Sequence, residues 1–225
     1  MDKSVSVTTI VSDVRVCLDE IGLNDASLIS GSDNAEMNKI IESKIEDAIA
    51  YVYRNADETL VLLSDIDIEE YYSGGYGETS SPYTFGLPDD TLRVLYVVLL
   101  GNSSNTTILE KVIGVPIHHI IYSNEKEYAT LFNPITTGHV DNPKVGVDLA
   151  QRTFSLYGPT LGSGMRVELG YLGMPAKSNN AYYISERLYR AVVYYIAGLV
   201  AMTYKDAHAD SLFNMAISSM GVKIN

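Results

Sequence analysis

Residues 184–204 read ISERLYRAVVYYIAGLVAMTY, and residues 206–220 read DAHADSLFNMAISSM. In the first stretch Ile184, Leu188, Val192, Tyr195, Leu199 and Met202 recur at spacings of four and three, the apolar stripe of a helix with a 3.6-residue period. Tyr189, Val193, Ile196, Val200 and Tyr204 form a second stripe beside it. A helix that is apolar on two sides has to be covered on two sides. It is therefore a central core helix, or one shared with a neighbouring subunit, and Tyr189, Val193, Val200 and Tyr204 are the candidate subunit-packing positions. The second stretch predicts another helix packed behind the first and ending near Gly221.

Working outward, the other end of the chain is helical too. Residues 9–22 carry Ile10, Val14, Cys17, Leu18 and Ile21 at helical spacing and end at a glycine. A polar connector at 24–34 leads to a longer helix over 35–55, with Met37, Ile40, Ile41, Ile45, Ala48, Ile49 and Val52 on one face and Asp33 or Asn34 to cap its start. Between the two helix pairs the period changes to two. Residues 59–70 and 92–100 read as strands, followed by 108–115, 145–149, 153–156 and 165–171; residues 116–122 either continue the 108–115 strand or start a loop, and 125–132 reads as a short helix. Residues 73–87 form a Gly/Ser/Tyr/Pro loop. The expected fold class is α+β: a four-helix bundle made by the N- and C-terminal helix pairs, with an inserted β-rich domain, a small barrel or sandwich. The boundaries fall at 1–58, 59–175 and 176–225.

Bulk properties narrow the function classes. The chain has 225 residues, 46% of them hydrophobic, and a net charge of −12. Such a surface repels phosphate, which argues against nucleic-acid binding through a basic face. The N-terminus has neither the charged start nor the apolar run of a secretory signal, and the apolar core at 191–204 is too short to span a bilayer, so synthesis in the cytoplasm is expected. The sole cysteine, Cys17, lies in a helical apolar pattern and reads as a small buried hydrophobe. Seventeen tyrosines and no tryptophan are unusual; tyrosine supplies apolar area with a polar tip and suits contact surfaces. Tyr71, Tyr72, Tyr76, Tyr83 and Phe85 are the candidate partner-interface residues, whereas Tyr182, Tyr183, Tyr189, Tyr194 and Tyr195 read as core filling.

Catalytic and cofactor motifs fail on spacing. Gly74-Gly75-Tyr76-Gly77 lacks the Gly-Lys-Ser/Thr ending of a phosphate loop. In Asp206-Ala-His208-Ala-Asp210 the histidine points about 200° away from Asp206 on a helix, so a capping acid on a solvated face is expected rather than a metal site. His118 and His119 face opposite sides of a strand. Asp65, Asp67 and Glu69 share one face of a strand and read as a solvated acidic edge. No nucleophile elbow or His-Glu-x-x-His appears, and no enzymatic activity, cofactor or metal is expected.

The order of segments resembles the head-to-tail adaptor, or connector-ring, proteins of tailed bacteriophages, nearest to the ring proteins of short-tailed and crAss-like phages. The matching phrases are Lys44-Ile-Glu-Asp-Ala-Ile-Ala-Tyr-Val-Tyr53, Leu87-Pro-Asp-Asp-Thr-Leu-Arg93, Tyr128-x-x-x-x-Asn133-Pro with Asn142-Pro143, Val167-Glu-Leu-Gly-Tyr-Leu-Gly-Met-Pro175 and Leu188-Tyr-Arg-Ala-Val-Val-Tyr-Tyr-Ile-Ala197 with residues 209–220 behind it. The resemblance spans nearly the whole chain as a pattern of order and texture. It implies a structural virion protein that assembles as a homo-oligomeric ring, usually a dodecamer, beneath the portal protein. Such a ring extends the channel for double-stranded DNA, which passes without specific binding, and docks a further ring or tail protein; no membrane is involved. Two other classes fit the residues less well: a phage accessory protein or chaperone that forms no ring, and a small-molecule-binding or enzymatic α+β domain.

Overall fold

The computed structural model describes residues 2–20, 31–61, 65–72, 82–100, 115–117, 120–132, 143–158 and 166–222. The fold is mixed α+β. In chain order its strands are β1 Asp2–Ser6, β2 Asp67–Tyr72, β3 Tyr83–Gly86, β4 Thr91–Leu100, β5 Val115–Ile117, β6 Ile120–Tyr122, β7 Lys144–Asp148, β8 Thr153–Tyr157, β9 Arg166–Gly173, β10 Lys177–Ser178 and β11 Ala181–Ser185. The helices are α1 Val7–Glu20, α2 Gly31–Asn55, α3 Glu186–Thr203 and α4 Ala209–Ser219. The chain forms two compact units, one from residues 1–66 and 174–225, the other from residues 67–173. No helix among the described residues is long and apolar enough to cross a membrane.

In the first unit α3 is central: α1, α2 and α4 all pack against it, and β11 leads into it. Both stripes read from the sequence are used. Leu188, Val192, Val193, Ile196, Val200 and Ala201 are buried, and so are Ile10, Val14 and Leu18 of α1 and Ile41, Ile45, Ala48, Ile49 and Val52 of α2. Each fully buried large aliphatic side chain removes about 1.5–3 kcal/mol of apolar surface from water, which is why helices with acidic outer faces hold together. Met202, read as part of the first stripe, departs from it: it is 57% exposed near the end of α3. Gly198 lets α4 approach closely, since a Cβ there would stand 2.8 Å from the Phe213 ring.

The helix ends differ from expectation. α1 begins at Val7, not 9, because Ser6 caps it: the Ser6 Oγ accepts from the Thr9 amide at 3.0 Å. α2 begins at Gly31, so Asp33 and Asn34 lie inside the helix rather than before it. α3 ends in a Schellman arrangement, with the Asp206 amide donating to Ala201 O at 3.0 Å and the Lys205 amide to Met202 O at 3.0 Å. Lys205 takes the left-handed conformation (φ 56°) that glycine usually supplies. Gly221 (φ 74°) does supply it after α4.

Ile184 belongs to β11, not to the helix. β11 pairs antiparallel with β1 on one side and β10 on the other, so the helical unit carries its own three-stranded sheet. Asn179 and Asn180, both at positive φ, make the β10–β11 turn, as a two-residue hairpin requires.

The second unit holds two four-stranded sheets, ordered β2-β9-β4-β5 and β3-β8-β7-β6. Among the described residues its pairings are antiparallel except β6 with β7. They close on one core: Val94, Val97, Val167, Leu169 and Tyr171 from the first sheet, and Phe85, Val145, Val147, Phe154 and Leu156 from the second. The strand expected over 59–70 is divided: Glu58–Leu60 is a 3-10 turn, and the strand starts only at Asp67. The short helix expected at 125–132 is a 3-10 turn at Tyr128–Phe132. The strand expected over 108–115 falls almost wholly outside the described residues.

Candidate functional site

The aromatic positions at the end of β2 and along β3 line the interior of the β unit. Phe85, read from the sequence as a contact residue, is instead an inner side chain, 2% exposed. It stacks on Phe154 with ring centroids 5.0 Å apart. The Tyr71 ring meets Phe85 at 5.3 Å and Phe154 edge-on at 5.4 Å, and its hydroxyl donates to Gly86 O at 2.6 Å. Tyr83 is half-buried against the same core. The physical reason is register: Phe85 pairs with Phe154 and Tyr71 with Val167, so all of them point between the sheets. Tyr76 lies outside the described residues, as do Gly74, Gly75, Gly77, His118 and His119, and only the backbone of Tyr72 is described.

The candidate subunit-packing residues divide in the same way. Val193 and Val200 are enclosed by the chain's own helical unit. Tyr189 is half-buried and donates to Asp13 Oδ2 at 2.5 Å; burial first, and that acidic partner second, hold its phenol well above the ordinary tyrosine value. Tyr204 is half-buried at the C-cap of α3. Tyr195 stacks on Tyr51 with centroids 4.1 Å apart. Among the described residues, the large apolar side chains that the single chain leaves exposed are Val16, Ile68, Tyr183, Met202, Met215 and Val222.

The polar constellations resolve individually. Asp206 does not cap α4, whose N-cap is His208 with no side-chain cap hydrogen bond; its Oδ1 instead accepts from the His208 amide at 2.7 Å in the turn before the helix and meets the His208 ring at 2.9 Å, and these contacts lower its carboxyl below the ordinary value. Cys17 is half-buried on α1. Among the described residues no group of three or more His, Cys, Asp and Glu is arranged to hold a metal ion.

Glu46 joins α2 to the small sheet. Its Oε1 accepts from the Tyr182 hydroxyl at 2.8 Å and from Lys177 Nζ at 3.3 Å. The Tyr182 hydrogen bond first, and Lys177 second, lower the Glu46 carboxyl below its ordinary value of 4.5. A carboxyl whose folded value is depressed adds stability that is present above the unfolded value and lost as pH falls through the folded one. The wild type is therefore expected to lose its advantage over Glu46→Gln as pH drops from 5 towards 3. Because the pair is largely exposed, the gap at pH 7 is at most about 2–4 °C in unfolding midpoint. Thermal scans of both proteins at several pH values check this; a gap that stays constant down to pH 3 contradicts it.

A second constellation, not anticipated from the sequence, sits where β9 ends. Asp67 pairs across β2–β9 with Tyr171, and Thr91 pairs across β4–β9 with Gly173. A Cβ on Gly173 would stand 2.7 Å from Asp90 Oδ2 and 2.8 Å from Asp67 Oδ2. The Tyr171 hydroxyl hydrogen-bonds to Asp90; burial, then the charges of Asp90, Asp67 and Glu69, push its phenol up to about 12. Burial and the Asp90 charge raise the Asp67 carboxyl, opposed by the Gly173 amide. The partners come from segments far apart in sequence: Asp67 reads there as part of a solvated acidic edge, and nothing in the sequence joins it to Asp90 or Thr91.

Comparison of the chain with models of known protein families gives no match, and comparison with curated proteins gives none either.

Proposed function

We propose that this chain is a structural building block of the head-tail connector of a tailed bacteriophage, a ring that joins the portal protein to the tail and extends the DNA channel. The observation that carries the reading is the division of the chain: both ends build one helical unit around α3, while residues 67–173 form a separate compact β unit. That is the segment order of the connector-ring proteins the sequence resembles. In this reading the four helices act as a bundle, and the β unit is an inserted sandwich.

Two compact units with different surfaces suit a heterologous ring, in which one face of each copy meets a different face of the next. Exposed Met202 and Met215 on the helical unit and Ile68 on β2 supply apolar area for such contacts. The net charge of −12 suits a channel wall that must let DNA slide, since phosphates are repelled. The segment 70–87 serves as the clasp onto an adjacent ring, with Tyr72 and Tyr76 as its contact residues.

Mass spectrometry of gradient-purified particles tests this. The chain is expected among the virion proteins, at the same copy number as other dodecameric connector components. Its absence from particles, with abundant chain in the infected-cell lysate, overturns the reading in favour of a non-ring accessory protein.

A further inference from the structure

We propose that Asp67 and Asp90, together with the Thr91 hydroxyl, form a binding site for a hard divalent cation of the calcium class at the Gly173 end of β9. The inference is independent of the connector reading, because it rests on the β unit alone.

Two carboxylate oxygens converge on one point, 2.7 and 2.8 Å from where a Gly173 Cβ would be. Only glycine leaves that space, and a cation standing slightly further out from the strand would fill it. Thr91 is the cross-strand partner of Gly173, and directly paired residues present their side chains on the same face of a sheet. Thr91 is 5% exposed, and its Oγ1 is buried with no hydrogen-bond partner among the described residues. A buried hydroxyl without a partner costs about 1–3 kcal/mol. A hydroxyl left unpaired on the sheet face where both carboxylates meet Gly173 is accounted for if a ligand completes its coordination.

The donor chemistry selects the ion. Carboxylate and hydroxyl oxygens without imidazole or thiolate suit calcium or magnesium rather than zinc or copper. The two carboxylates come from different elements, β2 and the turn before β4, so ligand spacing can adapt; calcium tolerates this better than magnesium, which demands near-ideal octahedral geometry. Water supplies the remaining positions. Two carboxylates place the site in the weak class, with Kd about 10⁻⁴–10⁻³ M.

The experiment is calcium titration of the EDTA-treated full chain by calorimetry, with thermal unfolding at about 10 mM calcium alongside. One calcium per chain is expected, with the unfolding midpoint raised by several degrees. Asp90→Asn, at an exposed side chain that leaves the fold intact, is expected to weaken binding at least tenfold. Gly173→Ala pushes the carboxylates apart and does the same. Thr91→Val separates a ligand from a structural residue: it removes an unpaired buried hydroxyl, so the calcium-free protein unfolds no earlier, yet its calcium affinity falls severalfold. No binding by the wild type overturns the proposal. So does an affinity unchanged in Asp67→Asn and Asp90→Asn, which marks an adventitious ion only, or an affinity unchanged in Thr91→Val.

Discussion

Replacing Phe154 by alanine is expected to cost the β unit about 3–5 kcal/mol. Phe154 is fully buried and lies where the two sheets meet, stacked on Phe85 at 5.0 Å and touched edge-on by Tyr71 at 5.4 Å. Truncation removes a fully buried aromatic ring and leaves a cavity that β-sheets, tied by their ladders, close only in part. It also leaves two aromatic partners without the geometry that adds about 0.5–1.5 kcal/mol per pair. Phe154→Leu keeps most of the volume and is expected to lose markedly less. Hydrogen exchange at β7 and β8 reports this unit directly, which matters because a chain of two compact units need not unfold in one step. Unchanged protection in Phe154→Ala contradicts the shared core described above.

Placing a charge at Ile196 is expected to abolish the fold of the helical unit. Ile196 is fully buried in α3, the helix that α1, α2 and α4 all contact. Ile196→Asp adds an unpaired buried carboxylate to a lost aliphatic contact, and such combinations exceed the roughly 4–5 kcal/mol that marks exceptional single-site damage. Two controls define the effect. Ile196→Val costs only about 0.5–1.5 kcal/mol. Met202→Asp, at a side chain 57% exposed on the same helix, stays within about 0.5 kcal/mol. Far-UV circular dichroism with denaturant titration ranks the three. A folded Ile196→Asp would show that α3 is not the centre of the unit.

The helices were legible because their periodicity is long and their partners are many. Leu188, Val192, Ile196 and Val200 repeat over four turns, and their burial follows from the stripes alone. Several strands were legible for the same reason, β4 and β9 above all. What escaped detection was short or borrowed. Ile184 fits the helical stripe by spacing, yet its neighbours alternate as a strand does: Tyr182 is buried, Tyr183 is 45% exposed and Ile184 is buried. The partner that decides the matter, β1, lies at the opposite end of the chain and offers only Val5 as a buried anchor among its residues with described side chains.

The candidate residues illustrate a different limit. Tyrosines beside a glycine-rich loop suggest contact surface, but the pleat decides which way each one points. Phe85 faces inward because it stands opposite Phe154, a pairing across about seventy residues of sequence. Val193 and Val200 belong to a stripe that either of two partners could cover, and the chain's own helices cover it. The Asp67–Asp90–Thr91 constellation was invisible because its members converge only through the β2-β9-β4 register.

The most direct test of the proposed connector role is cryo-electron microscopy of the phage particles in which that proposal places the chain, with the density between capsid and tail reconstructed under cyclic symmetry. A ring of copies at that position, with the helical and β units both fitting the density, is the predicted result. A reconstruction in which every connector ring is accounted for by other proteins contradicts it.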